Sequence, residues 1–297
     1  MNAETHIPAQ DALDEKPLVV LIDVYNLMYR LFHTRPPFTM PNSEQRLEVV
    51  KGVLNTVRGI IKNTPLGKAG RVVAVSDSSG ISHRHYIHDS YKAKREGMPE
   101  ELKSQRAIIK HVLDAIGVPF IEKGEVEADD LIGMLTSHYV KLGCRVLIHT
   151  TDKDMLQLVN EDVLVFNPAK KILMREAEVV EKLGVTPDLV ASLLAIMGDG
   201  VDGINGIDGV GVAKAAKLLN TYGSMQGIML SANEITGVLG EKVRANLFRV
   251  AQNVSLTVIC TNDALLDERL VAYADNHIHN PEKCQKIHAT YPPLNLI

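Results

Sequence analysis

The sequence of 297 residues predicts an α/β fold in which a mostly parallel central sheet is flanked by helices. Three short runs are rich in Val, Leu and Ile without clean alternation, which is typical of strands buried on both faces. They are LVVLID, ending at Asp23, RVVAVSD, ending at Asp77, and CRVLIHTTD, ending at Asp152. Segments with a helical pattern lie between these strands, at 43–64, 101–116 and 128–142. Strands that alternate with helices in this order form an open, mostly parallel sheet.

The composition excludes several classes of protein. Hydrophobic residues make up 45% of the chain, and no apolar stretch reaches the length of a membrane span. Residues 1–16 are polar and acidic without an apolar segment, which predicts a disordered tail and not a signal peptide. The three cysteines are scattered without C-x-x-C spacing, which argues against a disulfide framework and a structural zinc site. We therefore expect a cytoplasmic protein with no membrane partner.

Each of the three predicted strands ends in an aspartate. The carboxyl ends of parallel strands meet at one edge of a sheet, so Asp23, Asp77 and Asp152 are expected to share that edge. A single aspartate after a strand is usually a helix N-cap or a turn residue. Three of them together, with a further acidic group in the segment GEVEADDLIG, favour a functional site.

Six further carboxylates have reasons to lie at the same edge. In TTDKDM, two acids two residues apart point the same way from an extended segment. In MGDGVDG, two acids three residues apart share one face of a helical turn. One of the adjacent Asp129 and Asp130 could serve only as the N-cap of the helix that follows. The six are Glu127, Asp129, Asp130, Asp154, Asp199 and Asp202.

Nine convergent carboxylates require cations, because two like charges at close range repel by about 4 kcal/mol at an effective dielectric constant near 20. No His or Cys lies at ligand spacing among them, and ligands that are oxygens alone favour Mg²⁺ or Mn²⁺ over zinc. Two magnesium ions about 4 Å apart are a common arrangement for phosphodiester cleavage. The absence of a D-x-D-x-D-G loop disfavours calcium storage. The net charge of −4 counts against a nucleic-acid binder, but without the nine acids the remainder carries +5.

A long basic insertion separates Asp77 from Glu127. From Arg84 to Lys110 there are seven Lys and Arg against four acids, with Tyr86 interleaved among them. Cations and aromatic rings near a metal site suit a nucleic-acid strand, since the charges bind phosphates and the rings stack on bases. The alternative is an ordinary solvated helix face, and the insertion by itself does not decide between the two.

A glycine-rich loop lies at 198–219, in GDGVDGINGIDGVGVAKAAKLL. Its glycines let backbone amides approach a phosphate, and the amino terminus of the following helix favours an anion. A turn with a purely structural role is the alternative. The residues expected to contact DNA here are Gly206, Gly209, Gly211, Lys214 and Lys217.

Several spaced motifs, taken together, resemble the 5′-nuclease superfamily. They are D-x-x-x-L-x-Y-R from Asp23, D-S-S-G…R…YKAKR…MP from Asp77, GEVEADD, TDKDM-x-Q-L, and MGD-x-x-D-x-I-x-G-x-x-G-x-G. This superfamily contains flap endonucleases, phage 5′-exonucleases and the amino-terminal 5′-nuclease domain of bacterial DNA polymerase I. The resemblance runs from about residue 18 to about residue 258. Val24 and Thr151 stand where the family commonly has glycine.

The resemblance implies roles for the acids and for the insertion. The first group of metal ligands would be Asp23, Asp77, Glu127, Asp129 and Asp130, and the second would be Asp152, Asp154, Asp199 and Asp202. Residues 83–118 would form a helical arch in which Lys92 and Arg95 meet the scissile phosphate and Tyr91 stacks on a base. Arg84 would be a further phosphate contact. The glycine loop would be a helix–three-turn–helix that grips duplex DNA and can hold K⁺.

The function expected from these features is that of a Mg²⁺-dependent, structure-specific 5′-nuclease, with Mn²⁺ as a possible substitute. A nuclease core at 17–185 would carry the arch, and a helical region at 186–297 would bind the duplex. The DNA partners would carry a 5′ flap, a 5′ overhang or a junction, including RNA-primed 5′ strands. One alternative is a non-catalytic branched-DNA-binding protein, which would lack the acids or the arch lysine. A phosphatase using Asp23 as its nucleophile is disfavoured, because Tyr25 stands where that chemistry needs an aspartate.

Overall fold

The structure is a computed structural model that describes residues 16–41, 43–78 and 80–296. The predicted tail at 1–16 lies outside the described residues except for Lys16, whose ammonium group donates to Asp162 at 2.5 Å. None of the helices in the described part of the chain is long and apolar enough to cross a membrane.

A six-stranded sheet forms the centre of the fold, in the order β3-β2-β1-β4-β5-β6. All neighbouring strands are parallel except β5 and β6, which form an antiparallel hairpin. The strands are β1 (Leu18–Asp23), β2 (Arg71–Val75), β3 (Phe120–Ile121), β4 (Arg145–His149), β5 (Val163–Asn167) and β6 (Ile172–Met174). The three strands expected from the apolar runs are the central ones, and the mostly parallel sheet is confirmed.

Helices cover the sheet and continue beyond it. In the first part of the chain they are α1 (Val24–Thr34), α2 (Glu48–Lys62), α3 (His83–Ile87), α4 (Glu100–Ala115), α5 (Ala128–Lys141) and α6 (Glu176–Leu183). In the second part they are α7 (Val190–Met197), α8 (Val212–Tyr222), α9 (Met225–Leu230), α10 (Gly237–Thr257), α11 (Glu268–Asn276) and α12 (Pro281–Thr290).

The side chains of β1 alternate between two hydrophobic cores, one on each face of the sheet. Val19 and Leu21 pack with residues of α5, α7, α8 and α10. Leu18, Val20 and Ile22 pack with residues of α1, α2 and α4. All six residues of β1 are buried, which explains why its sequence shows no alternation of polar and apolar residues.

The last thirty residues, whose role the sequence does not show, return to the α/β core. Cys284 and Leu294 belong to the core on the α1–α2–α4 face. The Asn280 amide donates to the carbonyl oxygen of Ala115 at 2.8 Å, at the end of α4. This segment therefore connects the helical second part of the chain to the α1–α2–α4 face of the sheet.

His149, at the end of β4, makes folding stability depend on pH. It is 5% exposed, and its Nδ1 has no hydrogen-bond partner among the described residues. Burial, and then the charge of Arg30, lower the pKa of this imidazole from 6.5 to about 4. Below about pH 6.5 the His149 imidazole is therefore protonated in the unfolded chain, whereas in the folded protein it stays neutral to a lower pH. This contribution to stability is complete above pH 6.5 and is lost as the pH falls toward 4.

We expect the free energy of unfolding to fall by about 2 kcal/mol from pH 7 to pH 5 because of this one group, at about 1.4 kcal/mol per pH unit. His149→Gln should remove that part of the pH dependence, as measured by urea unfolding at both pH values. His33→Gln, at an exposed position of α1, is the matched control and should leave it intact. Equal pH dependence in the wild type and His149→Gln would contradict this explanation.

Candidate active site

The strand-end aspartates lie at one edge of the sheet, and two of them accept hydrogen bonds from amides at the start of a helix. Asp23 is the N-cap of α1, and its Oδ1 accepts from the Asn26 amide at 3.0 Å. Its Oδ2 accepts from Thr150 Oγ1 at 2.8 Å, in the loop after β4. Asp77 Oδ1 accepts from the Ala128 amide at 2.8 Å, at the start of α5. The N-cap alternative therefore holds for Asp23 and not for Asp77, and the convergence of acids also holds, because both carboxylates line the same cleft.

Four of the nine predicted acids line one cleft of about 390 Å³. Lys92 and Arg95 from the basic insertion line the same cleft, as do Tyr25, Asn26 and Tyr29 from α1. The two tyrosine rings lie 4.8 Å apart, centroid to centroid. The four acids are Asp23, Asp77, Asp129 and Asp152.

Burial and mutual repulsion raise the pKa of three acids of the cleft, Asp23, Asp77 and Asp129. Burial raises the pKa of Asp23 to about 7, although hydrogen bonds from Asn26 and Thr150 oppose the shift. Burial, and then the charges of Asp152 and Asp23, hold the pKa of Asp129 well above its usual value. The pKa of Asp77 is also raised, chiefly by burial. Without a cation the cleft therefore tends to hold protons.

A second acidic group lies beside the cleft. Burial, and then the charge of Asp152, raise the pKa of Asp154 to about 7. The Oδ1 atom of Asp154 is buried and accepts no hydrogen bond from any described residue. Lys153 Nζ donates to Asp199 Oδ2 at 2.8 Å, and Arg95 donates to the carboxylate of Asp202.

Asp199 and Asp202 do not lie on a helical turn, and that detail of the prediction is wrong. Helix α7 ends at Met197, and Asp199 forms an isolated antiparallel bridge with Ile204 in the loop that follows. The glycine-rich sequence after Met197 favours this loop, because Gly198 and Gly203 adopt left-handed backbone angles that disfavour other residues.

Two predicted ligands, Asp130 and Glu127, are engaged by the basic insertion instead of lining the cleft. Arg84 donates to Asp130 from Nη1 at 2.7 Å and from Nη2 at 2.8 Å. Glu127 accepts from Arg84 Nη1 at 3.2 Å and from Lys92 Nζ at 2.8 Å. Despite burial, the charges of Lys92 and Arg84 lower the pKa of Glu127 to about 2. Both carboxylates hold the insertion in place, and that of Glu127 is ionised.

Arg84 and Tyr91 do not have the positions expected of DNA contacts. Arg84 is 2% exposed, and it also donates to the carbonyl oxygens of Leu256 and Val258 at the end of α10. Tyr91 is 3% exposed and its hydroxyl donates to Glu127 at 3.0 Å. Buried side chains that are fully engaged in this way cannot reach a phosphate or a base. In this structure both have a structural role.

The segment predicted as an arch, 83–118, divides into two parts. Residues 83–99 form α3 and a series of turns next to the cleft, where Lys92 adopts a left-handed backbone angle and its amide donates to the Asp202 carbonyl at 2.9 Å. Helix α4 instead packs in the core through Leu102 and Ile109. Only the first part lies where it can contact a substrate in the cleft.

The glycine loop packs too closely for larger residues at three positions, Gly198, Gly203 and Gly206. A Cβ on Gly206 would lie 2.3 Å from the Met197 carbonyl carbon and 2.4 Å from the Gly198 amide nitrogen. Gly209 has a left-handed backbone angle, whereas Gly211, the N-cap of α8, has open space around it. The loop lines a depression of about 520 Å³.

The basic residues of the glycine loop differ in what they contact. Lys214 Nζ donates to the Gly209 carbonyl oxygen at 2.8 Å, so this lysine stabilises the loop. Lys217 is exposed, and its ammonium group forms no ion pair or hydrogen bond in the described part of the chain. Arg249, which the sequence reasoning missed, donates to the Gly206 carbonyl oxygen at 2.6 Å.

The tyrosines of the cleft and Lys153 were also missed from the sequence. Tyr25 and Tyr29 follow Asp23 with a spacing of four residues, which places both on one face of α1 and could have indicated them. Lys153 stands between two predicted ligands, and its pairing with Asp199 depends on contacts between separate loops.

Two family models match consecutive parts of this chain. Residues 18–184 match the 5′-3′ exonuclease N-terminal resolvase-like domain. Residues 185–278 match the 5′-3′ exonuclease C-terminal SAM fold. Together these two matches cover the sheet, the acidic cleft and the glycine loop.

Curated relatives have names from the same group of enzymes. The 5′-3′ exonuclease of Buchnera aphidicola subsp. Baizongia pistaciae is 34% identical over 225 residues, which cover 76% of this chain and 73% of that protein. DNA polymerase I of Mycobacterium leprae is 34% identical over 284 residues, which cover 94% of this chain and 30% of the polymerase. The chain thus spans less than a third of the length of such polymerases.

Solved structures show the same fold at low sequence identity. Bacteriophage T5 5′-exonuclease with bound zinc ions has a TM-score of 0.67 at 19% identity, covering 93% of this chain and 99% of that one. Human GEN1 in complex with Holliday junction DNA has a TM-score of 0.59 at 14% identity, covering 95% and 69%. Because both family models match and relatives are 34% identical, the chain belongs to the 5′-3′ exonuclease family, within the 5′-nuclease superfamily.

Proposed function

We propose that this protein is a Mg²⁺-dependent, structure-specific 5′-nuclease that hydrolyses DNA phosphodiester bonds near 5′ ends and at junctions of single and double strands. The observation that carries the proposal is the cleft in which four aspartates face Lys92 and Arg95. Carboxylates that bind cations and basic groups that bind a phosphate are both needed for phosphodiester hydrolysis. The family assignment supports the same reaction.

Divalent cations fit the residues of the cleft. The acids provide oxygen ligands only, which suits Mg²⁺ or Mn²⁺. The raised pKa of Asp23 and the buried Oδ1 of Asp154, which accepts no hydrogen bond from the described residues, support cation binding at these carboxylates. Among the described residues, no three acidic, His or Cys side chains already lie close enough together to hold one ion, so metal binding requires the carboxylates to draw closer.

Four acids would hold one ion: Asp23, Asp77, Asp129 and Asp152. A second ion would lie among Asp152, Asp154, Asp199 and Asp202, whose charges act on one another. When bound, such ions supply an activated water and stabilise the charge on the leaving oxygen.

Lys92 and Arg95 would orient the scissile phosphate. In the DNA-free protein Lys92 is paired with Glu127 and Arg95 with Asp202. Both cations line the cleft, so a phosphate that enters can share or replace these carboxylate partners. The aromatic faces of Tyr25 and Tyr29 lie in the same cleft and provide a surface on which a base near the cut can stack.

The glycine loop would bind the duplex by its backbone. Gly206 and Gly209 allow the backbone of the loop to pack closely. Helix α8 begins directly after the loop, so its amino-terminal amides favour phosphate. Carbonyl oxygens of the same loop would hold K⁺. Contacts to the backbone recognise the shape of DNA and not its base sequence. An RNA-primed 5′ strand would therefore be a substrate as well.

The decisive experiment uses a 5′-flap duplex labelled at its 5′ end, incubated with the protein in Mg²⁺ or in EDTA. We expect short labelled products cut near the junction in Mg²⁺, with a 5′-phosphate on the remaining strand, and no cleavage in EDTA. Mn²⁺ should replace Mg²⁺. Tight binding of the flap without cleavage in either metal would reject the nuclease and favour a non-catalytic branched-DNA-binding protein.

A further inference from the structure

Thr151, in the loop after β4, stands where the family commonly has glycine, and its side chain makes a contact that glycine cannot make. Its Oγ1 donates to Asn26 Oδ1 at 2.7 Å, and its backbone amide donates to the same oxygen at 3.2 Å. Thr151 does not have a left-handed backbone angle, so the local conformation does not require glycine. The loop is therefore tied to the first turn of α1 through one side-chain oxygen.

The two donors of Thr151 fix the orientation of the Asn26 side-chain amide. A backbone N–H can only donate, so the amide atom that faces Thr151 is the oxygen, and the nitrogen Nδ2 lies on the other side. Nδ2 is not buried, and it donates to no acceptor in the described part of the chain. Because Asn26 lines the acidic cleft, its two side-chain N–H groups are available donors in the wall of that cleft.

Asp23, the carboxylate at the start of the same helix, does not use these donors. Its Oδ1 accepts from the backbone amide of Asn26 at 3.0 Å, and its Oδ2 accepts from Thr150 Oγ1 at 2.8 Å. Thr150 Oγ1 in turn accepts from the Asp152 amide at 3.0 Å, so the loop after β4 is held at two consecutive residues. The Asn26 amide is neutral and adds no charge to the proposed metal site. It remains available for an acceptor that enters the cleft.

We propose that Asn26 is a further substrate-binding residue, whose Nδ2 donates to a non-bridging phosphate oxygen of the DNA strand in the cleft, and that Thr151 positions it. Phosphate oxygens accept many of the hydrogen bonds that proteins make to DNA, and asparagine is among the side chains that donate them. Lys92 and Arg95 line the same cleft, so a phosphate there meets both positive charge and a directed neutral donor. The inference rests on the proposed nuclease function and adds one contact to it.

The test measures cleavage of the 5′-flap duplex by Asn26→Leu, which has a similar shape but no donor, under single-turnover conditions in Mg²⁺. The ratio of the maximal rate to the half-saturating protein concentration should fall about tenfold to hundredfold, the range for a hydrogen bond to a charged group. Asn276→Leu, at an exposed position at the end of α11, is the matched control and should keep the wild-type ratio.

A methylphosphonate linkage identifies the contact, because it replaces one non-bridging phosphate oxygen with a methyl group. It is placed at one linkage at a time around the cut, and its two isomers are tested separately. At the contacted oxygen the replacement should slow the wild type about tenfold more than it slows Asn26→Leu, since the variant has already lost that hydrogen bond. At the other linkages both proteins should be slowed equally. A residue that only stabilises the fold would not produce this coupling.

Thr151 is tested by two substitutions. Thr151→Val keeps the shape but removes the hydroxyl, so the Asn26 amide loses one of its two donors. The same ratio should fall about threefold, and the methylphosphonate coupling should weaken with it. Thr151→Ser restores the hydroxyl and should recover most of both losses.

Each outcome decides a separate point. Asn26→Leu with the ratio of the Asn276→Leu control, or with methylphosphonate effects equal to those of the wild type at every linkage, would overturn the inference and leave the nuclease in place. A Thr151→Ser variant no more active than Thr151→Val would overturn the positioning role of Thr151. Wild-type protein that does not cleave the flap would overturn both the nuclease and the inference.

Discussion

Asp154→Asn is expected to lower the rate of cleavage of a 5′-flap duplex by about a thousandfold or more, which corresponds to about 4 kcal/mol of transition-state stabilisation. Asparagine has nearly the same shape but no charge, so a cation bound there loses a ligand. We expect the Oδ1 atom of Asp154 to be the oxygen that binds the cation, because it is buried and accepts no hydrogen bond within the described structure. The rate is measured under single-turnover conditions in Mg²⁺.

DNA binding separates this effect from unfolding. The affinity of Asp154→Asn for the flap in EDTA should stay within about threefold of the wild type, because the glycine loop is untouched. Asp188→Asn, at an exposed position before α7, is the control and should leave both cleavage and binding unchanged. Turnover that survives in Asp154→Asn would remove this residue from the proposed metal site.

Arg84→Met is expected to lower the free energy of unfolding by about 3–5 kcal/mol, the usual cost of removing one partner from a buried ion pair. The substitution keeps much of the side-chain volume but leaves the carboxylate of Asp130 without its bidentate partner and that of Glu127 with Lys92 as its remaining cation. Both are buried, and the Asp130 pair with Arg84 is bidentate. Urea unfolding at pH 7 provides the measurement.

Two variants give this prediction its controls. Arg269→Met removes an exposed arginine of α11 and should cost less than about 0.5 kcal/mol. Arg84→Met combined with Asp130→Asn should be more stable than Arg84→Met alone, because the second change removes an unpaired buried charge. A cost for Arg84→Met as small as that of Arg269→Met would show that the ion pair is not a structural one.

The ion pairs of the insertion also suggest how the cleft is kept ready for substrate. Lys92 forms an ion pair with Glu127, and Arg95 forms one with Asp202, so both cations face the acids of the cleft. Arg84 ties the same segment to Asp130 on α5 and to the end of α10. The basic insertion is therefore fixed to both parts of the chain beside the cleft.

The sequence alone determined the fold class and the edge at which the site lies. Strands buried on both faces must be apolar throughout, and parallel strands place their carboxyl ends together, so the three strand-end aspartates converge. Spacing and residue type also indicated oxygen ligands. These features depend on local pattern and on the geometry of a parallel sheet, and both can be read without knowing any long-range contact.

Only the tertiary structure decided which charged groups meet. The sequence treats Arg84 and Lys92 alike, but Arg84 is buried against Asp130 whereas Lys92 lines the cleft. It also treats Lys214 and Lys217 alike, but the first is bonded to the Gly209 carbonyl and the second is exposed. The reason is physical: the energy of a charge depends on its burial and on partners far away in the chain, and composition, spacing and periodicity contain neither quantity.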